Sequence, residues 1–392
     1  MSSPQNSFSL RKIVYDPKIR GLFFQTILFA LLLYFFYSII TNTVENLQSR
    51  GIPIGFGFLD NASGFPVSFK LISYITSDSN AKLILVGLLN TLFVAVLGII
   101  TATILGLIFG VMRLSKNSII SAIATVYIEV LRNIPLLVQI LLLYYGVLKT
   151  LPLAKDSLSF LGIFFANIKG ISVPTISFGS AETPFIISII VALIIMVALR
   201  LWSRKRQEKT GQQFPATKIG FAILIGLPLL ILIASGWPVE VSIPELGRFS
   251  LKGGMTISPE FIALYLALSI YTSAFIAETV RAGIMSVSHG QTEASDSLGL
   301  PRNKTLNLII IPQALRVIIP PLTSQYLNLT KNSSLAVAIG YTDLFASAGG
   351  VLNITGQALE LIAITMTFYL LFSLLTSMFM NWYNSRIKLV ER

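Results

Sequence analysis

The sequence has no cysteine and a single histidine, His289. No disulfide framework, thiolate metal site, pair of haem ligands or Cys/His nucleophilic centre can be assembled from it. Charge is scarce too: 12% of the 392 residues are Asp, Glu, Lys or Arg, against 54% that are hydrophobic, and the mean hydropathy is +0.78. That composition is too apolar for a soluble core of this length and places the chain in a membrane. No His-Glu-x-x-His run, Gly-x-Ser-x-Gly elbow or acidic ladder occurs, so no metal or serine hydrolase centre is offered. Gly299–Thr305 has Asn303 where a phosphate loop needs Gly before its Lys, and no strand precedes it.

What is present is a series of apolar runs, each able to cross a hydrocarbon layer of about 30 Å. They lie at Gly21–Ile40, Leu83–Met112, Ile119–Leu148, Phe185–Leu201, Ile219–Ser235, Ile262–Ile284, Ala314–Ala338 and Leu359–Met380. The expected fold is all-α and integral to the membrane, with about eight transmembrane helices. The first run lacks a small-residue cleavage site after it and reads as an uncleaved helix.

The formal charge of +12 would suggest nucleic acid in a soluble protein. In a membrane it orients the helices, because short cytoplasmic loops collect Lys and Arg. With the N-terminus inside, the inner segments hold Arg11, Lys12, Lys18, Arg20, Arg113, Lys116, Arg200, Arg204, Lys205, Arg206, Lys209, Lys218, Arg281, Arg302, Lys304, Arg316, Arg386, Lys388 and Arg392. The outer segments hold Arg50, Lys70, Lys82, Lys149, Lys155, Lys169, Arg248 and Lys252. Nineteen against eight predicts both termini in the cytoplasm and no nucleic-acid partner. The outer segments Thr41–Ala81, Lys149–Pro184 and Trp237–Pro259 read as loops with short interfacial helices, and the fourth and fifth runs as a peripheral hairpin.

The segment from Ser288 to Thr305 is polar and lies between two apolar runs. Ser288 with Gln291 fits a capping box, Gly299 a position of positive φ, and Pro301 the first turn of a following helix. Two short helices are predicted, His289–Leu298 and Pro301 to about Ile311, with Pro312 at the membrane re-entry. Ala294 and Ser295 are small enough for close approach by a partner, and Glu293 and Asp296 can accept hydrogen bonds. By capping alone the segment reads first as an ordinary capped loop.

Glu293-Ala294-Ser295, followed by Gly299, Leu300 and the pair Ile311-Pro312, resembles the EAA coupling loop of ABC importer permeases. Ser295 departs from the second Ala of that pattern, a small-for-small change. The runs Tyr127–Gln139, Tyr271–Gly283 and Leu327–Leu335 are similar to those of the polar and general amino-acid uptake branch. The resemblance covers roughly 83–148 and 262–380 and implies a type I importer core of five helices. Segment 1–82 then adds a cytoplasmic tail, the first helix and an external loop, and 83–148 forms the first part of the core. Segment 149–258 adds an external loop and a hairpin, and 259–392 completes the core with the coupling loop 288–312.

The resemblance further implies an inner-membrane permease that passes amino acids from a periplasmic binding protein to the cytoplasm by alternating access. Glu293, Ala294, Ser295, Asp296, Gly299, Leu300 and Pro312 would meet the ATPase. The implied partners are a cytoplasmic ABC ATPase dimer, a second permease chain that is identical or related, the binding protein and membrane lipid. No cofactor would be bound by this chain, which would not be an enzyme; ATP and Mg would be used by the partner ATPase. An ion-coupled secondary transporter is the competing class, but it would need carboxylates within the spans, where few occur.

Asn328, Lys331, Asn332, Ser333 and Ser334 make a polar run in an apolar stretch that follows Pro320 and Pro321. A charge at membrane depth costs on the order of 2.5 kcal/mol or more, so Lys331 faces a polar cavity near the midplane or snorkels to the outer interface. In the first case it suits a substrate carboxylate, and the neutral Asn332 suits broad or neutral amino-acid specificity. Glu129, Arg132 and Gln139 recur at helical spacing, with Pro135 a kink. Glu129 with Arg132 and Glu278 with Arg281 are spaced for i,i+3 pairs, structural or part of a gate. Gly106 and Gly110 permit a close helix crossing.

Overall fold

A computed structural model describes residues 17–51, 54–247 and 251–387. Arg11, Lys12, Arg248, Lys388 and Arg392 of the charge argument lie outside the described residues, as does the side chain of Arg386. The helices are α1 (Pro17–Ser49), α2 (Asn80–Arg113), α3 (Ser118–Asn133), α4 (Leu136–Leu141), α5 (Glu182–Thr210) and α6 (Ala216–Ala234), followed by α7 (Pro259–Met285), α8 (His289–Ser297), α9 (Arg302–Thr305), α10 (Ile311–Asn332), α11 (Leu344–Thr355) and α12 (Ala358–Ile387).

Among the described residues seven helical stretches are long and apolar enough to span a membrane. The eighth expected span is not one straight helix: α3 and the helix that begins with α4 are bent by 104°. Pro135 causes this, since the residue before proline is pushed out of the α region and Ile134 is extended, with ψ 126°. The buried Gln139 fixes the bend by donating to the carbonyls of Leu131 (2.9 Å) and Ile134 (3.0 Å), which the break leaves without helical partners.

The chain folds as two compact units. The first comprises residues up to Leu89 with Asp343–Leu375. Its core joins Phe58 and Tyr74 of the segment after α1 to Leu83 and Val86 of α2, Leu344 and Val351 of α11, and Leu361 of α12. Segment 54–79 is thus folded onto a core: Asn80 donates to the Phe58 carbonyl at 2.8 Å, and Ser63 bonds the Tyr74 hydroxyl. Lys82 bonds Asp78 at 2.8 Å and, with the Ile75 N–H, holds that half-buried carboxyl below the usual carboxylate range.

The second unit comprises Asn90–Thr342 with the chain from Thr376 on. Its centre is α7, whose Ala263, Ala267, Ser269, Ser273, Ala274 and Ala277 are all buried. Small residues let neighbouring backbones come close, the main route to van der Waals packing where water supplies no driving force. A Cβ on Gly110 would stand 2.7 Å from the Ala277 carbonyl and 2.9 Å from Val280, and Gly106 is pressed against Ile276, so the expected close crossing is that of α2 with α7.

The segments that flank α5 and α6 contain small sheets, which were not expected, beside loops and the short helical turns Leu148–Thr150, Ala154–Asp156 and Gly179–Ala181. β1 (Leu158–Phe160), β2 (Phe164–Asn167), β3 (Gly170–Val173) and β8 (Met255–Ile257) make an antiparallel sheet in the order β1-β2-β3-β8. β4 (Thr175–Ser177) pairs with β5 (Glu240–Ser242), and β6 (Glu245–Leu246) with β7 (Leu251–Lys252). Ser172 sits opposite Thr256, their hydroxyls 2.8 Å apart. The strands are only two to four residues long, and β3 with β8 and β4 with β5 pair across the whole hairpin, so no local periodicity announces them. Pairing closes the base of the hairpin, while α5 and α6 pack on each other at Met196 and Gly220.

Candidate functional site

The polar segment 288–312 is built as a rigid hairpin. α8 begins with Ser288 at the N-cap, but its hydroxyl makes no capping bond, and the Gln291 side chain instead accepts from Gln313 at 3.3 Å. The capping-box expectation is therefore corrected: Gln291 is turned toward α10, tying the first turn of α8 to the returning helix. Gly299 has φ +70°, as its position predicts, and its N–H bonds the Asp296 carbonyl while that of Leu300 bonds Ser295.

Ser295, where the EAA pattern has Ala, is 1% exposed, and its hydroxyl lies 2.5 Å from that of buried Thr305. This bond clamps α8 to α9, and Thr305 had no signal in the sequence that marked it. Glu293, Ala294 and Asp296 are exposed, as is Leu298 at 78%, an apolar side chain held out on a polar tip. His289 and Glu293 bond one another at 2.9 Å.

The second helix of the hairpin does not end at Pro312. A wide turn over Leu306–Ile310 carries α9 directly into α10. Proline has no N–H and its ring crowds the carbonyl four residues earlier, and the widened turn relieves both without breaking the helix. A push on the hairpin is therefore applied to the end of a continuous helical rod.

That rod bears the polar run. Asn328 and Lys331 are exposed and Asn332 is half-buried, at spacings of three and four that set them on one face of α10. Ser333 is buried and donates to the Thr330 carbonyl, and Ser334 donates to that of Lys331, so both hydroxyls are turned to their own backbone. After Asn332 the helix tightens to 3-10 geometry as far as Ile339, ending at Gly340 with φ +78°. Helical rise puts Lys331 roughly 28 Å from Pro312, toward the end of the rod opposite the hairpin rather than at its middle.

The charged residues near the other end gather around one the sequence did not single out. Arg113, at the end of α2, donates to Glu278 of α7 at 2.7 Å and to Glu129 of α3 at 2.9 Å. Glu278 also accepts from Arg281 at 2.6 and 3.0 Å, so the α7 pair forms as spaced. The Glu129–Arg132 pair does not form: Glu129 turns to Arg113, and the Arg132 guanidinium lies 5.3 Å from the Phe275 ring centroid. Gln139 lies beyond the bend and does not share a helix face with Glu129 and Arg132. Tyr127 adds a further tie, stacked on Phe109 at 3.7 Å and bonded to Ser273 of α7 at 2.7 Å.

Sequence comparison decides what kind of membrane protein carries this hairpin and rod. The family described as "Binding-protein-dependent transport system inner membrane component" matches residues 102–389. The chain belongs to that family. It is 46% identical to the general L-amino acid transport system permease protein AapQ of Rhizobium johnstonii, over 98% of this chain and 96% of that one. It is 47% identical to the putative amino-acid ABC transporter permease protein YhdX of Escherichia coli K12, over 96% of each. With the glutamate/glutamine/aspartate/asparagine transport system permease protein BztB of Rhodobacter capsulatus it shares 39%, over 99% and 98%. The chain is thus a multi-pass inner-membrane permease subunit of an ABC importer, a transport component rather than an enzyme. Membership implies ATPase and binding-protein partners. Nothing in the family match supports transport driven by an ion gradient.

Proposed function

We propose that the permease moves amino acids from a periplasmic binding protein into the cytoplasm by alternating access, with a cytoplasmic ABC ATPase dimer working on the hairpin 288–312. Both termini are cytoplasmic in this reading, and a second permease chain, identical or related, completes the pathway. The observation that carries it is the clamp from Ser295 to Thr305 at the head of a helix that continues to the polar face at Lys331. The ATPase cleft receives Glu293, Ala294, Asp296 and Leu298, while Gly299, Leu300 and Pro312 set the shape of the hairpin. ATP binding moves the rod, the face with Asn328, Lys331 and Asn332 opens outward, and hydrolysis by the partner, with its Mg, returns it inward. Each ligand drives this switch only through a difference in affinity for the two states.

The arrangement of charge supports a zwitterionic substrate, with its carboxylate toward Lys331 and its ammonium toward amide and carbonyl oxygens. Amino acids named for all three relatives agree with this class. Arg113 with Glu129, Arg132, Glu278 and Arg281 joins α2, α3 and α7 near the hairpin, and the group acts as a structural brace that the moving rod works against. Gln139 holds the bend.

Gly299→Leu, measured in the complex reconstituted in vesicles, tests the coupling. A leucine at φ +70° costs about 1 kcal/mol or more and disturbs the tip, so ATP-driven uptake is expected to fall at least tenfold while the chain still inserts. Uptake at the normal rate sinks the docking role. Lys331→Met is expected to raise the substrate concentration for half-maximal uptake without releasing the ATPase; unchanged substrate dependence removes Lys331 from the pathway.

A further inference from the structure

The turn between α5 and α6 carries a cluster of cations that the transport reading does not use. Arg200, Arg204, Lys205, Arg206, Lys209 and Lys218 lie between positions 200 and 218, with Glu208 the one acid among them. All but the half-buried Arg206 are exposed, and among the described residues none is within ion-pair distance of a carboxylate. The turn is nonetheless fixed. Gly211 ends α5 at φ +70°, and Ser203 donates to the Phe214 carbonyl at 3.2 Å. Phe214 meets Trp202 edge-on at 5.2 Å, and Arg206 lies 5.4 Å from the Trp202 ring and donates to Gln212 at 3.0 Å.

This order of features has a depth. The bodies of α5 and α6 expose Ile186, Ile190, Ile194, Phe221, Ile225 and Leu229, the surface of a lipid-facing hairpin. An aromatic collar follows, where Trp side chains prefer the boundary between hydrocarbon and water. Arg204, Lys205 and Lys209 lie just beyond this collar, and Arg200 and Lys218 stand within two and four residues of Trp202 and Phe214 on its hydrocarbon side, with side chains long enough to reach the phospholipid headgroups.

We propose that this turn is a binding site for anionic phospholipid, in which Arg200, Arg204, Lys205, Lys209 and Lys218 hold headgroup phosphates around the pin of Trp202, Phe214 and Arg206. Charge complementarity selects the occupant: among the described residues the cations have no acidic partner within ion-pair distance, and the bilayer supplies phosphate at that depth whichever leaflet the turn meets. Binding fastens to the membrane a hairpin whose helices pack chiefly on each other. The site depends neither on the substrate nor on the ATPase of the transport reading.

Native mass spectrometry tests it on the complex as isolated from its own membrane and exchanged into micelles with equal phosphatidylglycerol and phosphatidylcholine. Phosphatidylglycerol adducts are expected in excess at low salt, declining as ionic strength shortens the screening length. A basic side chain at an anionic surface is worth about fivefold in local binding. The combined substitution R200Q/R204Q/K205Q/K209Q/K218Q should therefore reduce the excess at least tenfold and leave the subunit composition intact, whereas K155Q/K169Q/K252Q should change nothing. Equal adducts of the two lipids on the unmodified complex, or an undiminished excess on the fivefold variant, overturns the proposal. Loss of a protein subunit from that variant with lipid adducts unchanged overturns it as well and gives the patch to a protein partner. Should the variant fail to insert, lipid preference and salt dependence in the unmodified complex decide by themselves.

Discussion

Two helices of this permease, α1 and α7, invert the rule that the most apolar segment is the most buried. The richest apolar stretch of α1 has mean hydropathy 2.0 and no buried residue, whereas that of α7 has 1.6 and is 67% buried. Side-chain size separates them. Between Leu28 and Tyr37 α1 consists of Leu, Phe and Tyr apart from Ala30, every residue exposed, while α7 interleaves Ala, Ser, Thr and Gly among its larger residues. In lipid there is no water to flee, so burial goes to whichever helix permits close contact and offers hydrogen bonds, as Ser273 does to Tyr127.

The largest effect expected on stability lies at the crossing of α2 with α7. Gly110→Leu sets a side chain where even a Cβ meets the Ala277 carbonyl at 2.7 Å. Overpacking of this kind costs about 3 kcal/mol, and size-exclusion chromatography in detergent should show an aggregated or absent complex. A monodisperse complex of normal thermal stability would mean that the crossing is loose and that size is not what separates the two helices.

Next comes Arg113→Met, which leaves Glu129 and Glu278 without their shared cation. With Arg113 and Glu278 only 19% and 25% exposed at the side chain, a loss of about 2 kcal/mol is expected, below the value for a fully buried pair because solvent still screens these groups. A double-mutant cycle with Glu278→Gln, read by thermal unfolding, should give a coupling well above that of Arg281 with Glu278. Additive effects would show that α7 is held by shape alone.

The smallest effect is expected on α1. Phe29→Ala removes a side chain that is 63% exposed, and thermal unfolding in detergent should move by no more than about 0.5 kcal/mol. A drop of the size seen at Gly110 would place α1 in an interface with another chain and restore hydropathy as a guide to burial.

Much of this was readable from local patterns. The apolar runs, the positive φ of Gly299, the small pair Gly106 and Gly110 and the Glu278–Arg281 pair follow from spacing within one helix or turn. What the sequence did not announce involves partners far apart in the chain: Arg113 reaching Glu129 and Glu278, Thr305 clamping Ser295, and β3 pairing with β8 across the α5–α6 hairpin. The Glu129–Arg132 pair failed for the same reason. Helical spacing makes a contact available, but a better-placed cation on α2 took it.

By itself the sequence determined that the chain lives in a membrane, how often it can cross, and that a polar hairpin with a fixed glycine turn stands between two crossings. Those properties depend on residue chemistry and on periods of a few residues, which are local. Only the tertiary structure decided which apolar helix is buried, that the 104° bend at Pro135 is stapled by Gln139, and that hairpin and polar face share one continuous rod. Those depend on which surfaces approach closely enough for van der Waals contact and hydrogen bonding, and in lipid, where hydropathy no longer distinguishes inside from outside, that fit sets the arrangement.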